Sequence, residues 1–336
     1  MANKTIVFSV LAGLIIFAAV LLVSGLENIK NILFHLSVLE FLVIFLIFSI
    51  DFFIIVYRWK IVLESYGYKV PYKRLIAPKA SCFAVSYLTP FSRIGGEPVR
   101  AYMLKKRNKV PFIIGLASTI SDKIIEFSSS LLIVLLGIFI IFIKYSISKR
   151  IGVIMLSIAG LFVLLLLIFY FTIMNNKKLF TTLIKMFGLN KIKHLDGIEK
   201  HTIKFEGSIS NFFINHKKRI LLLILLSTLA NLFILVNYIV AASFLGQPIS
   251  FAESILIFSL TALATTFPIP GALGPYEGFS ALVFSLIGAG AGFGVAFSLV
   301  TRGVELIIVA LGIFFVYHFG IKMAINTLLG KNAKNN

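Results

Sequence analysis

Apolar residues along this chain neither alternate nor recur at helical spacing; they run in long unbroken stretches. Six runs, at 5–25, 36–57, 112–143, 151–174, 220–246 and 293–321, are apolar on every side of a helical wheel. A helix needs about 20 such residues to cross the hydrocarbon of a bilayer, and one that is apolar all round is a buried or membrane helix. The first run lacks a convincing signal-peptidase site and reads as a retained helix. Two further apolar regions, 78–104 and 252–290, are broken at their centres. The breaks are Thr89-Pro90-Phe91-Ser92-Arg93-Ile94-Gly95-Gly96-Glu97-Pro98 and Phe267-Pro268-Ile269-Pro270-Gly271-Ala272-Leu273-Gly274-Pro275-Tyr276-Glu277-Gly278. Proline and glycine at that density free backbone groups that lipid cannot satisfy, so such segments belong inside protein or beside a wet cavity. Both regions therefore read as re-entrant helical hairpins. The pattern predicts an all-α polytopic membrane protein of about six transmembrane helices plus two re-entrant hairpins, forming one integral membrane domain over residues 1–336.

Composition sharpens the class. The chain is 59% hydrophobic and only 13% charged, with a mean hydropathy of +1.01. Soluble domains carry about 25% charged residues, so there is too little charge here to clothe a water-facing surface. The net charge of +19 would suit nucleic acid or anionic lipid, and its distribution decides between them. With the N-terminus in the cytoplasm, 24 of the 32 Lys and Arg fall on the inner side and four outside. The other four, Arg93, Arg100, Lys123 and Arg302, stay at membrane depth. This is the positive-inside pattern, not a nucleic-acid surface. It brings the two hairpins in from opposite faces, the arrangement of an inverted repeat, and leaves both termini cytoplasmic. Residues 175–219 form the one sizeable loop, basic and amphipathic, with Leu195, Ile198, Phe205, Ile209 and Phe212 at helical spacing among lysines. It is expected either to lie on the anionic inner leaflet or to serve as a plain inward connector. With Cys82 as the sole cysteine, an intrachain disulfide is excluded. No Walker loop, G-x-S-x-G elbow or metal-ligand spacing occurs, so neither a metal nor a cofactor is expected. Gly288, Gly290, Gly292 and Gly294 match no phosphate loop and read as close helix packing.

The informative residues are the ionisable ones at membrane depth. Each costs at least about 2.5 kcal/mol at a helix centre, so each should have a partner or a task. Glu97 lies with Arg93 and Arg100 in the first hairpin. Asp122 and Glu126 sit one turn apart near the start of the third long run. Glu277 lies in the second hairpin, and Arg302 and Glu305 are three apart in the last run. Local pairing would join Arg302 to Glu305, Arg100 to Glu97 and Lys123 to Glu126. The hairpin tips also resemble each other, running from proline through glycine to glutamate. Turn glycines at Gly95, Gly96 and Gly274 let a ligand approach the backbone, and the following half-helix aims its N-terminus at the tip. With Tyr276 and the arginines, this makes a site suited to a phosphate at mid-membrane, most naturally that of a lipid head group.

The segments Ser92-Arg93-Ile94-Gly95-Gly96-Glu97-Pro98-Val99-Arg100-Ala101-Tyr102 and Pro268-Ile269-Pro270-Gly271-Ala272-Leu273-Gly274-Pro275-Tyr276-Glu277-Gly278 resemble the two signatures of the lysylphosphatidylglycerol synthetase transmembrane-region family. This is also the flippase-like domain of the multiple peptide resistance factor. The resemblance spans essentially the whole chain. It implies a protein of the bacterial or archaeal plasma membrane that moves a lipid, in the best-known member an aminoacylated phospholipid. The chain is expected to be a stand-alone member without the soluble synthetase domain, and so not itself a lipid aminoacylating enzyme.

The leading expectation is a lipid translocase. A polar or anionic head group, of a phospholipid or polyprenyl phosphate, crosses between the hairpin tips while its tails stay in the bilayer. A membrane enzyme using Glu97 or Glu277 as general base and a scaffold subunit of envelope biosynthesis stay open as rivals. A homo-oligomer is a candidate assembly.

Overall fold

The structure, a computed structural model, describes residues 2–90, 95–144, 149–175, 181–182 and 198–328. Among them there are helices and no strand. In chain order they are α1 (Ala2–Ser24), α2 (Leu26–Phe34), α3 (Val38–Ser65), α4 (Tyr72–Leu88), α5 (Glu97–Asn108), α6 (Phe112–Lys144) and α7 (Lys149–Met174). Then come α8 (Ile198–Asn215), α9 (Lys217–Phe244), α10 (Phe251–Ala264), α11 (Pro275–Leu286) and α12 (Ala291–Leu328). Six of them occupy the six apolar runs. Four, at Val38–Ser65, Phe112–Lys144, Lys217–Phe244 and Ala291–Phe319, are long and apolar enough to cross a membrane. A fifth crossing results if α1 and α2, bent by 83°, count as one broken span. The bend falls at Gly25, whose φ of 81° is one that side-chain-bearing residues avoid. The chain is an all-α polytopic membrane protein.

Both broken regions fold as pairs of half-length helices. In the first, α4 has 17 residues and α5 has 12; in the second, α10 has 14 and α11 has 12. At 1.5 Å per residue these are roughly 18 to 26 Å long, short of the hydrocarbon thickness. Within each pair the helices pack on each other. Local chemistry sets the boundaries. Ser37 with Glu40 and Ser250 with Glu253 form capping boxes that start α3 and α10, satisfying amide groups that a helix start leaves unpaired. Pro275 opens α11, where the missing N–H costs nothing.

The pairs are built into the bundle by close backbone approach. α4 packs along α12, and a Cβ at Gly312 would lie 2.2 Å from the Ala80 carbonyl. The tip of α5 sits on α4 in the same way, with a Cβ at Gly96 falling 2.0 Å from the Cys82 carbonyl. Small residues let helices approach where no hydrophobic effect drives them together. The glycine run behaves as expected at Gly294, which packs on the Ser280 carbonyl, whereas Gly288 and Gly290 form a turn with positive φ. Outer faces remain apolar and exposed, as with Leu42 and Leu46 on α3, Leu132 and Phe139 on α6, and Leu225 on α9.

The longest described part of the basic loop is α8. Its apolar side faces protein: Ile209, Phe212 and Phe213 are buried, Phe212 stacks on Tyr66 and Phe213 meets Phe169 edge-on. Lys200 and Lys204 stay exposed, so α8 meets anything anionic through its lysines and not by inserting its apolar face. Lys191, Lys193 and Leu195 lie outside the described residues. The positive-inside pattern carries a direct expectation for topology. A cysteine at the exposed loop residue Gln247 should react with a membrane-impermeant maleimide added to intact cells, and one at exposed Lys109 should not. Labelling at Lys109 from outside would reverse the orientation.

Candidate functional site

The two half-helix pairs and α12 enclose a cavity of about 160 Å³. α3 supplies Phe48, Asp51, Phe52 and Ile55 from one face, because positions three, four and seven apart share a helix side. α4 adds Lys79, Cys82, Ser86 and Tyr87, α5 adds Glu97 and Arg100, and α6 adds Lys123 and Glu126. The second pair contributes Gly271, Ala272 and Tyr276, and α12 contributes Arg302 and Glu305. Charged and apolar walls thus face the same space.

Beneath the charged wall lies a buried ion network. Asp122, with no exposure, accepts from Arg58 Nε at 2.8 Å and from Arg100 Nη1 at 2.9 Å. Arg58 Nη2 donates to Glu126 at 3.0 Å and Nη1 to Ser227. Lys123 completes Glu126 at 3.0 Å. Lys79 Nζ stands 3.6 Å from Asp122 and 4.0 Å from Glu126. Arg100 also stacks on the Trp59 ring at 3.5 Å. Such pairing is what makes buried charge tolerable.

A second network joins the two tips. Arg302 Nη1 donates to Tyr87 Oη at 3.0 Å and Nη2 donates to the Ala272 carbonyl at 2.9 Å, while Nε is ion-paired with Glu277. A Cβ at Gly271 would lie 2.9 Å from the Tyr87 ring, so the second tip rests directly on the end of α4. α1 supports the same tip from outside, its Gly13 carbonyl and Ile16 crowding any Cβ at Gly274.

The two tip glutamates turn out to share a local task. Glu97 accepts from the Gly95 N–H at 2.7 Å, and Glu277 accepts from the Gly274 N–H, also at 2.7 Å. Each closes the turn before its own helix, which explains the sequence likeness of the tips. They differ in outlook: Glu97 lines the cavity, whereas Glu277 is wholly buried behind Arg302.

Of the residues expected at a site, Glu97, Arg100, Glu126, Tyr276, Arg302 and Glu305 converge on the cavity, and Asp122 lies directly behind it. Gly95 is an exposed tip residue, and Gly96 and Gly274 are packing contacts. Arg93 lies outside the described residues. Of the local pairings, Lys123 with Glu126 forms. Arg302 reaches Glu277 and Arg100 reaches Asp122, because helix packing brings those carboxylates closer in line than the residues along the same helix. Sequence reasoning missed Arg58, Lys79, Asp51 and Trp59. Arg58 and Lys79 were counted with the inward loops; Arg58 is only 1% exposed, and Lys79 lies in the cavity wall. One signal pointed to them: Asp51 and Arg58 are seven apart, on one face of the helix that runs on to Ser65.

The chain resembles archaeal proteins of the same size. A UPF0104 membrane protein of Methanothermobacter thermautotrophicus is 23% identical over 319 residues, covering 93% of this chain and 94% of that one. Another from the same organism is 30% identical over 162 residues, 47% of this chain and 46% of that one. A UPF0104 membrane protein of Methanocaldococcus jannaschii is 23% identical over 124 residues, 37% of each. No solved structure matches the chain. The profile of the lysylphosphatidylglycerol synthase TM region matches residues 10–312, which take in both half-helix pairs, the cavity and both ion networks. The chain belongs to that family.

Proposed function

We propose that the chain is a lipid translocase, flippase-like, that passes a polar or anionic head group through this cavity while the acyl or polyprenyl tails stay in the bilayer. The observation that carries the reading is the two-faced cavity wall. Charged groups from α4, α5, α6 and α12 line one space together with Phe48, Phe52 and Ile55 of α3, whose one charged lining residue is Asp51, which suits a molecule polar at one end and apolar at the other. The two short helix pairs entering from opposite sides, as an inverted repeat, would let the tips move against each other around a fixed site. On this reading the protein sits in the archaeal or bacterial plasma membrane with both termini cytoplasmic. Anionic inner-leaflet lipid would meet the lysines of α8.

Proteoliposomes with fluorescent phospholipids and polyprenyl phosphates test the reading. Head-group movement faster than in protein-free vesicles is expected for at least one lipid. A rate equal to empty vesicles across the panel would sink it. Product formation in detergent, where sidedness has no meaning, would instead favour an enzyme acting through Glu97.

A further inference from the structure

Among the described residues four cations line the cavity: Lys79, Arg100, Lys123 and Arg302. Two are spoken for. Arg302 spends Nη1 on Tyr87, Nη2 on Ala272 and Nε on Glu277. Lys123 is hydrogen-bonded to Glu126 at 3.0 Å. The other two are not. Arg100 is 2% exposed and uses only Nη1; among the described residues its Nε and Nη2 have no acceptor. A buried guanidinium carries five donors in a rigid fork, and leaving them unmade costs the full desolvation of the group. Trp59 covers one face of the guanidinium at 3.5 Å, so an acceptor must come in the plane of the fork. Lys79 forms ion pairs at 3.6 and 4.0 Å, beyond hydrogen-bond reach, to carboxylates that two closer cations already hold.

Arg100 and Lys79 are also neighbours across a single atom, since both approach Oδ2 of Asp122. Two like charges are thus held side by side in a cavity wall, with unused donors on both. Glu97, one turn before Arg100, does not neutralise it. Glu97 accepts from the Gly95 N–H instead, and among the described residues no ion pair joins Glu97 to Arg100.

We infer that Arg100 and Lys79 form the seat of a phosphoryl group, the fork of Arg100 binding two of its oxygens and the Lys79 ammonium a third. Planar two-point binding is the mode in which arginine recognises phosphate, and lysine adds a point charge. The seat lies in the body of the first helix pair, two turns along α4 from Tyr87, not at the tips. Arg302 belongs to the tip contact instead. That the phosphoryl group is carried by a lipid rests on the translocase reading; the seat itself does not.

The test is calorimetric binding to the full chain in dodecyl maltoside, a detergent without phosphate. Three probes are used: dihexanoyl-phosphatidylglycerol, dihexanoylglycerol with the same chains and no phosphate, and inorganic phosphate. The first should bind and the second should not. Lys79→Gln and Arg100→Gln should each weaken binding about tenfold or more, as loss of a charged hydrogen bond does. Arg100→Lys should weaken it nearly as much, and Lys79→Arg by no more than about threefold, because only the first loses a fork. Lys60→Gln, outside the cavity beside Glu64, should bind as wild type. Among the described residues Lys79 makes no hydrogen bond, so Lys79→Gln keeps the test sound even if Arg100→Gln fails to fold. Wild-type affinity in Lys79→Gln with an unchanged melting temperature would overturn the seat, and so would equal binding of dihexanoylglycerol. Inorganic phosphate that displaces the lipid supports the seat; inorganic phosphate binding as tightly as the lipid would overturn a lipid as its ligand. Flipping of labelled phosphatidylglycerol separates the two ideas. Lys79-dependent binding without flipping removes the translocase alone, and flipping that Lys79→Gln leaves unchanged removes the seat alone.

Discussion

Asp122→Asn is expected to lower the melting temperature in detergent more than any other single change at the cavity. Asp122 has no solvent exposure and is the counter-ion of two arginines, at 2.8 and 2.9 Å, with Lys79 at 3.6 Å. Asparagine preserves the shape but removes the charge, and its amide nitrogen must turn one donor towards a guanidinium. Removing one partner of a buried ion pair costs about 3–5 kcal/mol, because the charge left behind cannot return to water. Here two guanidiniums are left, one of them 1% and the other 2% exposed. Glu126→Gln should cost clearly less. Its side chain is 20% exposed, and Arg58 keeps Asp122 when Glu126 is gone. Thermal melts of both variants in one detergent check the order. An Asp122→Asn protein as stable as wild type would mean that Asp122 does not hold α3, α5 and α6 together.

The second large effect concerns Arg302 and Glu277. Arg302→Met should destabilise by about 3 kcal/mol or more, because Glu277 is then a buried carboxylate without its cation. It also loses the two hydrogen bonds by which Arg302 ties Tyr87 of the first pair to Ala272 of the second. Glu277→Gln alone strands the arginine but keeps an oxygen for the Gly274 N–H, which Glu277 accepts at 2.7 Å. Combining the two should recover much of the stability, since replacing a buried ion pair by neutral groups is often no worse than keeping it. Function should not recover in the same measure. With the tips untied, a cysteine in place of Phe83, which lines the cavity one turn before Tyr87, should react with maleimide faster in the double variant than in the wild-type background. If the double variant melts no higher than the Arg302→Met single, the pair is not the reason for the loss. If the reactivity of that cysteine is unchanged, Arg302 does not hold the tips.

Much of the fold was legible because membrane helices obey a one-dimensional rule. Each long apolar run must span or lie buried, and each Pro-Gly break must leave the lipid. The runs at 112–143 and 220–246 accordingly became Phe112–Lys144 and Lys217–Phe244 with boundaries nearly unmoved. Where α3 ended was less legible, since the run seemed to stop at Arg58 and the helix continues to Ser65. A charged residue inside a bundle looks in sequence like the first residue of a loop. The carboxylates that neutralise Arg58 are 64 and 68 positions away, and the Ser227 hydroxyl it donates to is 169 away.

The site divides along the same line. Glu97, Arg100, Asp122, Glu126, Glu277 and Arg302 could be nominated from sequence alone, because a charge in an apolar segment is costly wherever the chain puts it. Their partners could not. Pairing within one helix is the only pairing that sequence spacing specifies, at three or four residues, and among the described ion pairs at the cavity it accounts for Lys123 with Glu126. The rest depends on which helices approach: α5 and α6 for Arg100 with Asp122, α11 and α12 for Glu277 with Arg302. Those approaches go with glycines: a Cβ at Gly115 of α6 would lie 3.3 Å from the Ala101 backbone of α5, and one at Gly294 of α12 would lie 2.3 Å from the Ser280 carbonyl of α11. The sequence by itself thus determined that this is a membrane-embedded helical protein carrying charge at depth. The tertiary structure decided which charges cancel, which close the tips, and which keep donors unpaired, because cancellation of charge is a matter of a few ångströms between helices distant in the chain.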